Sequence, residues 1–261
     1  MRKSAVIIPL FALIAGIIGF VIRQMEVSTG FEATTGFAKR GFAATTNLII
    51  VSAVVILLAA AIGILAKVRM KADNDYKRTF APKGFLYLAV SFVLGFAWLA
   101  ADVLYLLDLY GKGAVSVLDI IFVFLAAASA LSVIFLARGA YKGRGGGEML
   151  LFSVIPSVFF CFWLIVLYKN NASNPVILRF SYECLAIAAA ALSYYFSAGF
   201  VFGKSVTGRT LFSFLVTIYF CLVVLADSVG IPIKIIFGLT AVNAFVNTVV
   251  YLRNLRPKEA L

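Results

Sequence analysis

The chain has 261 residues, of which 63% are hydrophobic and only 13% are charged, and its formal net charge is +12. A soluble domain of this size needs more polar surface than such a composition supplies, which excludes a water-soluble enzyme or binding domain. The sequence contains no histidine, so a Ser-His-Asp triad and the commonest metal ligand are excluded as well.

Apolar runs long enough to cross a membrane recur along the whole sequence. A bilayer core about 30 Å thick requires roughly 20 apolar residues in a helix. Runs of this kind lie near residues 4–22, 47–67, 84–110, 114–137, 149–168, 179–202, 211–229 and 232–252. The segments between them are too short for a soluble domain. We therefore predict an all-α fold over residues 1–261, a single polytopic transmembrane helix bundle of about eight spans.

The positive charge is distributed as a membrane topology requires. If the N-terminus is cytoplasmic, the inner segments hold 16 of the 23 basic residues and four of the 11 acidic residues. The outer segments and outer half-spans hold the remaining seven of each kind, so the whole excess lies on one face. This distribution obeys the positive-inside rule and predicts that both termini are cytoplasmic. The expected partner of the basic face is the lipid bilayer, with no role for nucleic acid.

The first outer loop, residues 23–46, is unusual in its aromatic content. It contains three Gly-Phe pairs, at Gly30-Phe31, Gly36-Phe37 and Gly41-Phe42. Phenylalanine side chains outside the bilayer core favour burial, so we expect this loop to fold back over the bundle or to lie in the membrane interface. Two roles are open for it, a lid over a site and a loop that rests on lipid headgroups.

The same loop carries a resemblance to known sequences. The stretch that carries it lies between two spans and reads Glu26-Val27-Ser28-Thr29-Gly30-Phe31-Glu32 and onward to Arg40-Gly41. It resembles the first loop of uncharacterised multi-pass membrane proteins from anaerobic Gram-positive bacteria and covers less than a tenth of the chain. The resemblance implies a bacterial plasma membrane and brings no assigned activity.

Ionisable side chains within the predicted spans are the candidates for function, because charge is costly inside a membrane. The third span places Trp98, Asp102 and Tyr105 at i, i+4 and i+7, on one helix face. The fourth span adds Asp119 and the sixth adds Glu183. Together these side chains would form an outward-facing acidic cavity with aromatic walls, suited to a small cation or amine. We predict these five as ligand-binding residues, with Asp102 as the principal polar contact.

Structural roles for the polar residues of the spans are the alternative. Asp227 lies near a span end, where solvation is cheaper, and Arg179 and Glu183 have the spacing of an ordinary i, i+4 ion pair. The eighth span carries Asn243 and Asn247 on one face, and amides at that depth usually form hydrogen bonds between helices. For the two asparagines we favour this structural role over substrate contact.

Two small-residue motifs predict close helix packing. Ala59 and Gly63 in the second span, and Gly199 and Gly203 in the sixth, are each four residues apart and so share a helix face. Small residues at this spacing let two backbones approach each other closely.

Three classes of function are compatible with these features. The sequence has no phosphate-binding loop, zinc-peptidase motif or nucleophile elbow, so we expect no catalytic activity, no cofactor and no metal. The favoured prediction is a small transporter or substrate-binding membrane subunit with an outward-facing cavity. One alternative is a non-catalytic partner of another membrane protein, or an envelope-sensing subunit. The last is an intramembrane lipid-modifying enzyme, which requires two acids, such as Asp102 and Asp119, within hydrogen-bond reach.

Overall fold

The structure is a computed structural model, and it describes residues 4–32, 36–113, 115–143 and 147–258. Eight helices in these ranges are long and apolar enough to cross a membrane, which confirms the predicted polytopic all-α bundle. They are α1 (Ser4–Thr29), α2 (Ala43–Arg69), α4 (Phe85–Gly111), α5 (Val117–Lys142), α6 (Glu148–Asn171), α7 (Ser181–Val201), α8 (Thr207–Val224) and α9 (Ile231–Asn254). The shorter elements are helix α3 (Tyr76–Thr79), a 3-10 helix (Ile177–Arg179) and strands β1 (Met70–Lys71) and β2 (Arg256–Pro257).

α1 begins, and α9 ends, at the same end of the bundle. β1 pairs antiparallel with β2, with Met70 opposite Pro257, and this ties the end of α2 to the end of α9. Ile8, near the start of α1, lines a small cavity together with Arg69 and Leu252. We call this the inner end, because the charge distribution predicts it to be cytoplasmic, and the opposite end the outer end.

Six of the spanning helices form a closed ring. Each helix from α4 to α9 packs on the next, and α9 returns to α4. α1 and α2 lie outside this ring, where α8 is the main contact of both. α8 is consequently the most deeply buried span. The outward faces of the other helices expose apolar side chains such as Leu57 and Phe124, as expected of a lipid-facing surface.

Glycines allow α1 and α2 to approach α8 closely. A Cβ atom at Gly63 of α2 would lie 2.7 Å from the carbonyl oxygen of Gly208 in α8, so the two backbones are in contact there. A Cβ atom at Gly16 of α1 would lie 2.6 Å from Cδ1 of Leu222. Since Ala59 and Gly63 are both buried, the close packing predicted for this pair is confirmed.

The other small-residue motif has a different role, so the packing predicted for it is wrong. α7 ends at Val201, and Gly203 adopts a left-handed conformation with φ of +70°. The amide of Lys204 donates to the carbonyl oxygen of Gly199 at 2.7 Å. This is the pattern with which glycine ends a helix.

Several helix boundaries differ from the predicted spans by a few residues, and the differences at α1 and α8 change which polar residues belong to the bundle. α1 continues to Thr29, so Arg23 and Glu26 belong to a helix and not to the loop 23–46. Their charges are neutralised inside the bundle, which hydropathy along the chain does not reveal. α8 occupies Thr207–Val224 in place of 211–229, and its first turn contains the fully inaccessible Thr210 beside the exposed Arg209.

Residues 72–81, which we call the inner cap, lie over the inner end of the ring. The cap buries Tyr76 and Phe80, and the ring of Phe80 packs edge-on against Phe200 with centroids 5.6 Å apart. The side-chain amide of Asn254 holds the cap in place by donating to the carbonyl oxygens of Thr79 and Ala81, at 2.9 Å each. The cap therefore separates the interior of the ring from the inner surface.

The described part of the first outer loop folds back over the bundle, which is one of the two arrangements predicted for it. Phe31 and Ala38 form an antiparallel bridge, and the backbone amide of Lys39 donates to the carbonyl oxygen of Gly30 at 2.8 Å. The guanidinium of Arg179 lies over the ring of Phe31, 5.1 Å from its centroid. Residues 33–35 of the loop lie outside the described residues, and a lid role stays a prediction.

Candidate functional site

Trp98 and Asp102, two of the predicted site residues, lie on the buried face of α4. They are one turn apart, with exposures of 1% and 3%. The same face carries Tyr87, Ser91 and Gly95, all of which recur at the three- to four-residue spacing of a helix. The packing face of the helix therefore carries an ionisable group into the interior of the bundle.

Trp98 belongs to a cluster of aromatic side chains that we call the aromatic layer. Its six members come from α4, α5, α6 and α9, and they are Trp98, Phe122, Phe159, Phe160, Trp163 and Phe237. The ring of Trp98 lies 6.0 Å from that of Phe159, which in turn lies 5.1 Å from Phe122. Trp163 contacts Phe237 at 4.8 Å. The layer therefore links four helices of the ring with edge-to-face and tilted aromatic contacts.

Two polar atoms beside this layer lack hydrogen-bond partners. Neither Oδ1 of Asp102 nor Nε1 of Trp98 has a partner within residues 4–32, 36–113, 115–143 and 147–258. Buried polar groups are almost always hydrogen-bonded, because leaving one unsatisfied costs its desolvation free energy. One carboxylate acceptor and one indole donor thus lie on adjacent turns of α4 without partners among the described residues.

Asp119 and Tyr105 lie near the outer end of α4 and α5 and are bonded to each other. The hydroxyl of Tyr105 donates to Oδ1 of Asp119 at 3.3 Å. Oδ2 of Asp119 accepts from the amide and the hydroxyl of Ser116, at 2.9 and 2.6 Å, and the Asp119 amide donates back to that hydroxyl. This is a capping box at the start of α5. Asp119 therefore stabilises a helix end, and a ligand role for it stays a prediction.

Glu183 lies apart from Asp102, in a second buried cluster. It is 9% exposed, and its carboxyl group is close enough to Asp227 for the two to interact electrostatically. The predicted convergence of five residues on one cavity is therefore not observed. Trp98 and Asp102 form one candidate site, and Asp119 belongs to a helix cap. Tyr105 bonds to Asp119, and its ring lies 5.1 Å from that of Phe122 in the aromatic layer. Glu183 belongs to what we call the Arg23 cluster.

The Arg23 cluster joins three parts of the chain near the outer end. Nε of Arg23 donates to Oδ1 of Asp227 at 2.5 Å, and Nη1 donates to Oε2 of Glu26 at 2.6 Å. Nη2 donates to two carbonyl oxygens of the 3-10 helix, at 3.0 and 3.1 Å. Sequence reasoning missed this cluster because it assigned Arg23 and Glu26 to a loop. The available signal was their i, i+3 spacing with opposite charge directly after an apolar run.

Uncharged side chains form a hydrogen-bonded chain across the inner half of the ring. Tyr87 donates from its hydroxyl to Oδ1 of Asn247 at 2.9 Å, and Nδ2 of Asn247 donates to Oδ1 of Asn243 at 3.2 Å. Nδ2 of Asn243 donates in turn to the hydroxyl of Tyr194 at 2.8 Å. These bonds join α4, α9 and α7, so the interhelical role predicted for the two asparagines is confirmed.

This chain borders a cavity that we call the inner polar cavity. Its other polar lining consists of hydroxyl groups, from Tyr76, Ser91, Ser193, Ser197 and Thr240. It offers about 30 Å³ of space for the centres of water-sized molecules, enough for one or two waters. The ring of Tyr194 also stacks on Phe160, with centroids 5.6 Å apart, so the cavity and the aromatic layer share a wall.

Comparisons of the chain with family models, with curated proteins and with solved structures find no match. Within the part of the chain that the structure describes, no three Asp, Glu or Cys side chains come together in a way that could hold a metal ion.

Proposed function

We propose that this integral membrane protein is a small-solute carrier or substrate-binding membrane subunit of a bacterial plasma membrane, with Asp102 as the contact for a cationic ligand. The observation that supports the proposal is the unpartnered carboxylate oxygen of Asp102, one helical turn from the unpartnered indole N–H of Trp98. Asp102 as a residue is only 3% exposed. An unpaired acid in a membrane interior is costly, and such groups are retained chiefly where function requires them.

The chemistry of the site favours a small amine or a comparable organic cation. An ammonium group supplies a positive charge that pairs with Asp102 and N–H groups that donate to its unpartnered oxygen. Aromatic ring faces attract such a cation as well. A ligand that also carries a hydrogen-bond acceptor would satisfy Nε1 of Trp98. A hydroxyalkyl ammonium compound combines both features.

The arrangement along the ring suits a solute that passes through it. The aromatic layer adjoins Asp102, and the inner polar cavity adjoins the layer through Tyr194. The inner cap covers the cavity from the inner end. Asp102 and the inner polar cavity would then be two successive binding positions along a transport path, and the packed aromatic side chains would separate them.

The alternative of a non-catalytic partner protein receives less support from the same geometry. A helix face that awaits a partner would present its polar residues outward, whereas Asp102 and Asn243 are 3% and 7% exposed and point into the bundle. Lipid modification would need Asp102 and Asp119 to act as a pair, and Asp119 is engaged as a helix cap.

The proposal is tested by thermal unfolding of the purified protein in detergent, with ethanolammonium, choline and tetramethylammonium as probes. At about 100 times its Kd, a bound probe should raise the melting temperature by about 5 °C or more. We expect this shift in the wild type and its loss in Asp102→Asn. Asp102→Asn should melt no lower than the wild type without ligand, because it removes an unsatisfied buried acid.

The matched control is Asp108→Asn on the same helix. Asp108 is 43% exposed at its side chain and pairs with Lys112 at 2.6 Å, so it should retain the full ligand shift. The proposal fails if no probe stabilises the wild type and Asp102→Asn melts at a lower temperature, since Asp102 would then be structural.

A further inference from the structure

A groove on the lipid-facing side of the ring lies between the start of α4 and the end of α9. Its volume is about 430 Å³. The walls are apolar, with Leu86 and Val90 contributed by α4, and Val246 and Val249 by α9. Leu86 is 76% exposed, so the groove is open towards the bilayer. Its shape and lining match those of a space that an acyl chain fills.

Two basic side chains lie at the inner mouth of this groove. Lys83 precedes α4, Arg253 is in the last turn of α9, and both are exposed members of the lining. Neither forms an ion pair or a hydrogen bond with any residue that the structure describes. None of the described residues that line the groove is acidic. Two free cations at the mouth of an apolar groove are complementary to an anionic headgroup attached to an acyl chain.

We propose that the groove between α4 and α9 binds an anionic phospholipid of the inner leaflet. The phosphate accepts hydrogen bonds from Lys83 and Arg253, and one acyl chain runs between Val90 and Val246. The predicted orientation supports the choice of lipid, because Lys83 and Arg253 lie at the end predicted to be cytoplasmic, where the leaflet is anionic. This site is separate from Asp102 and does not depend on the proposed transport function.

Tyr87 gives the site a connection to the interior of the ring. Its side chain is part of the groove lining and also of the inner polar cavity, and its hydroxyl bonds to Asn247. A lipid in the groove therefore contacts the lipid-facing side of Tyr87, whose opposite side borders the inner polar cavity.

The test measures lipid binding by native mass spectrometry of the detergent-purified full chain. Phosphatidylglycerol is compared with phosphatidylcholine of the same acyl chains, and glycerol phosphate is added in a separate arm. We expect the wild type to prefer phosphatidylglycerol and to ignore glycerol phosphate. Lys83→Gln combined with Arg253→Gln should weaken phosphatidylglycerol binding by roughly 10- to 30-fold, because each basic side chain contributes about 1 kcal/mol to the binding free energy.

The matched control removes two exposed inner-end charges outside the groove, with Lys142→Gln and Lys204→Gln. It should keep the preference for phosphatidylglycerol. An equal loss in both double variants would overturn the proposal, because general attraction to the basic face would then explain binding. Equal binding of the two lipids by the wild type, or competition by glycerol phosphate, would overturn it as well.

A third variant tests the apolar wall without changing charge. Val249→Trp fills the groove from the α9 side, so it should reduce retention of phosphatidylglycerol although Lys83 and Arg253 are intact. Unchanged retention in a Val249→Trp protein that elutes as the wild type does in size-exclusion chromatography would place the lipid elsewhere.

Discussion

Replacement of Arg23 by methionine should lower the free energy of unfolding by about 3–5 kcal/mol, because it leaves buried acids without their counterion. The Arg23 side chain is 1% exposed, and those of Glu26 and Asp227 are 1% and 4% exposed. The substitution also removes the donors to two backbone carbonyl oxygens that are then unsatisfied. Thermal unfolding in detergent should show a decrease in the melting temperature of about 10 °C.

The control for this prediction is Arg40→Met, which removes an exposed arginine of the same outer loop region. It should change the melting temperature little. Combining Arg23→Met with Glu26→Gln and Asp227→Asn should recover part of the loss, because the two carboxylates that pair with Arg23 are then replaced by neutral amides. If Arg23→Met alone melts within a degree or two of the wild type, the cluster does not hold the outer end together.

Gly63→Ala should destabilise the protein by about 1–3 kcal/mol, although the added group is a single methyl. The new Cβ atom would lie 2.7 Å from the carbonyl oxygen of Gly208 and 3.3 Å from Cβ of Phe212. The first contact is with backbone, which cannot rotate away, so α2 must move off α8. Since α8 is also the main contact of α1, the shift should weaken the packing of both α1 and α2 against the ring. Thermal unfolding of the purified protein measures the effect.

Gly238→Ala provides a matched control for that substitution. Gly238 lies within α9, and no described atom comes within 4 Å of the position its Cβ atom would occupy. The better helix propensity of alanine should leave the melting temperature unchanged or raise it slightly. A loss of stability in Gly238→Ala as large as in Gly63→Ala would show that the backbone contact between α2 and α8 is not the cause.

Asp227 and Asp102 each have one buried carboxylate oxygen without a partner in the described ranges, but only Asp227 pairs with a basic side chain, Arg23, through its other oxygen. Arg23 uses Nε and both terminal nitrogens, and it joins three parts of the chain, as expected of a structural residue. Asp102 is similarly buried, and it forms no ion pair with any residue that the structure describes. Pairing within the bundle accounts for the burial of Arg23, whereas no described side chain compensates the charge of Asp102.

The sequence by itself determined the number of spans, the all-α class and the burial of Asp102. Hydropathy is a property of each residue, and a run of about 20 apolar residues has one stable solution in a bilayer, the helix. The period of that helix is also local, so the spacing of Trp98 and Asp102 placed both on the packed face of α4. The amide face of α9 followed from the same reasoning.

Only the tertiary structure decided which spans are neighbours, and with that which polar groups meet. Arg23 and Asp227 are 204 positions apart, and no local pattern records that α1 packs against the end of α8. The same contact lies in the part of α1 that extends beyond its apolar run, and it places Asp227 in a cluster separate from Asp102. The inner polar cavity likewise arises where distant helices converge. Each of these features depends on helix-to-helix packing, which small residues and long-range pairs control and which hydropathy and helical period do not encode.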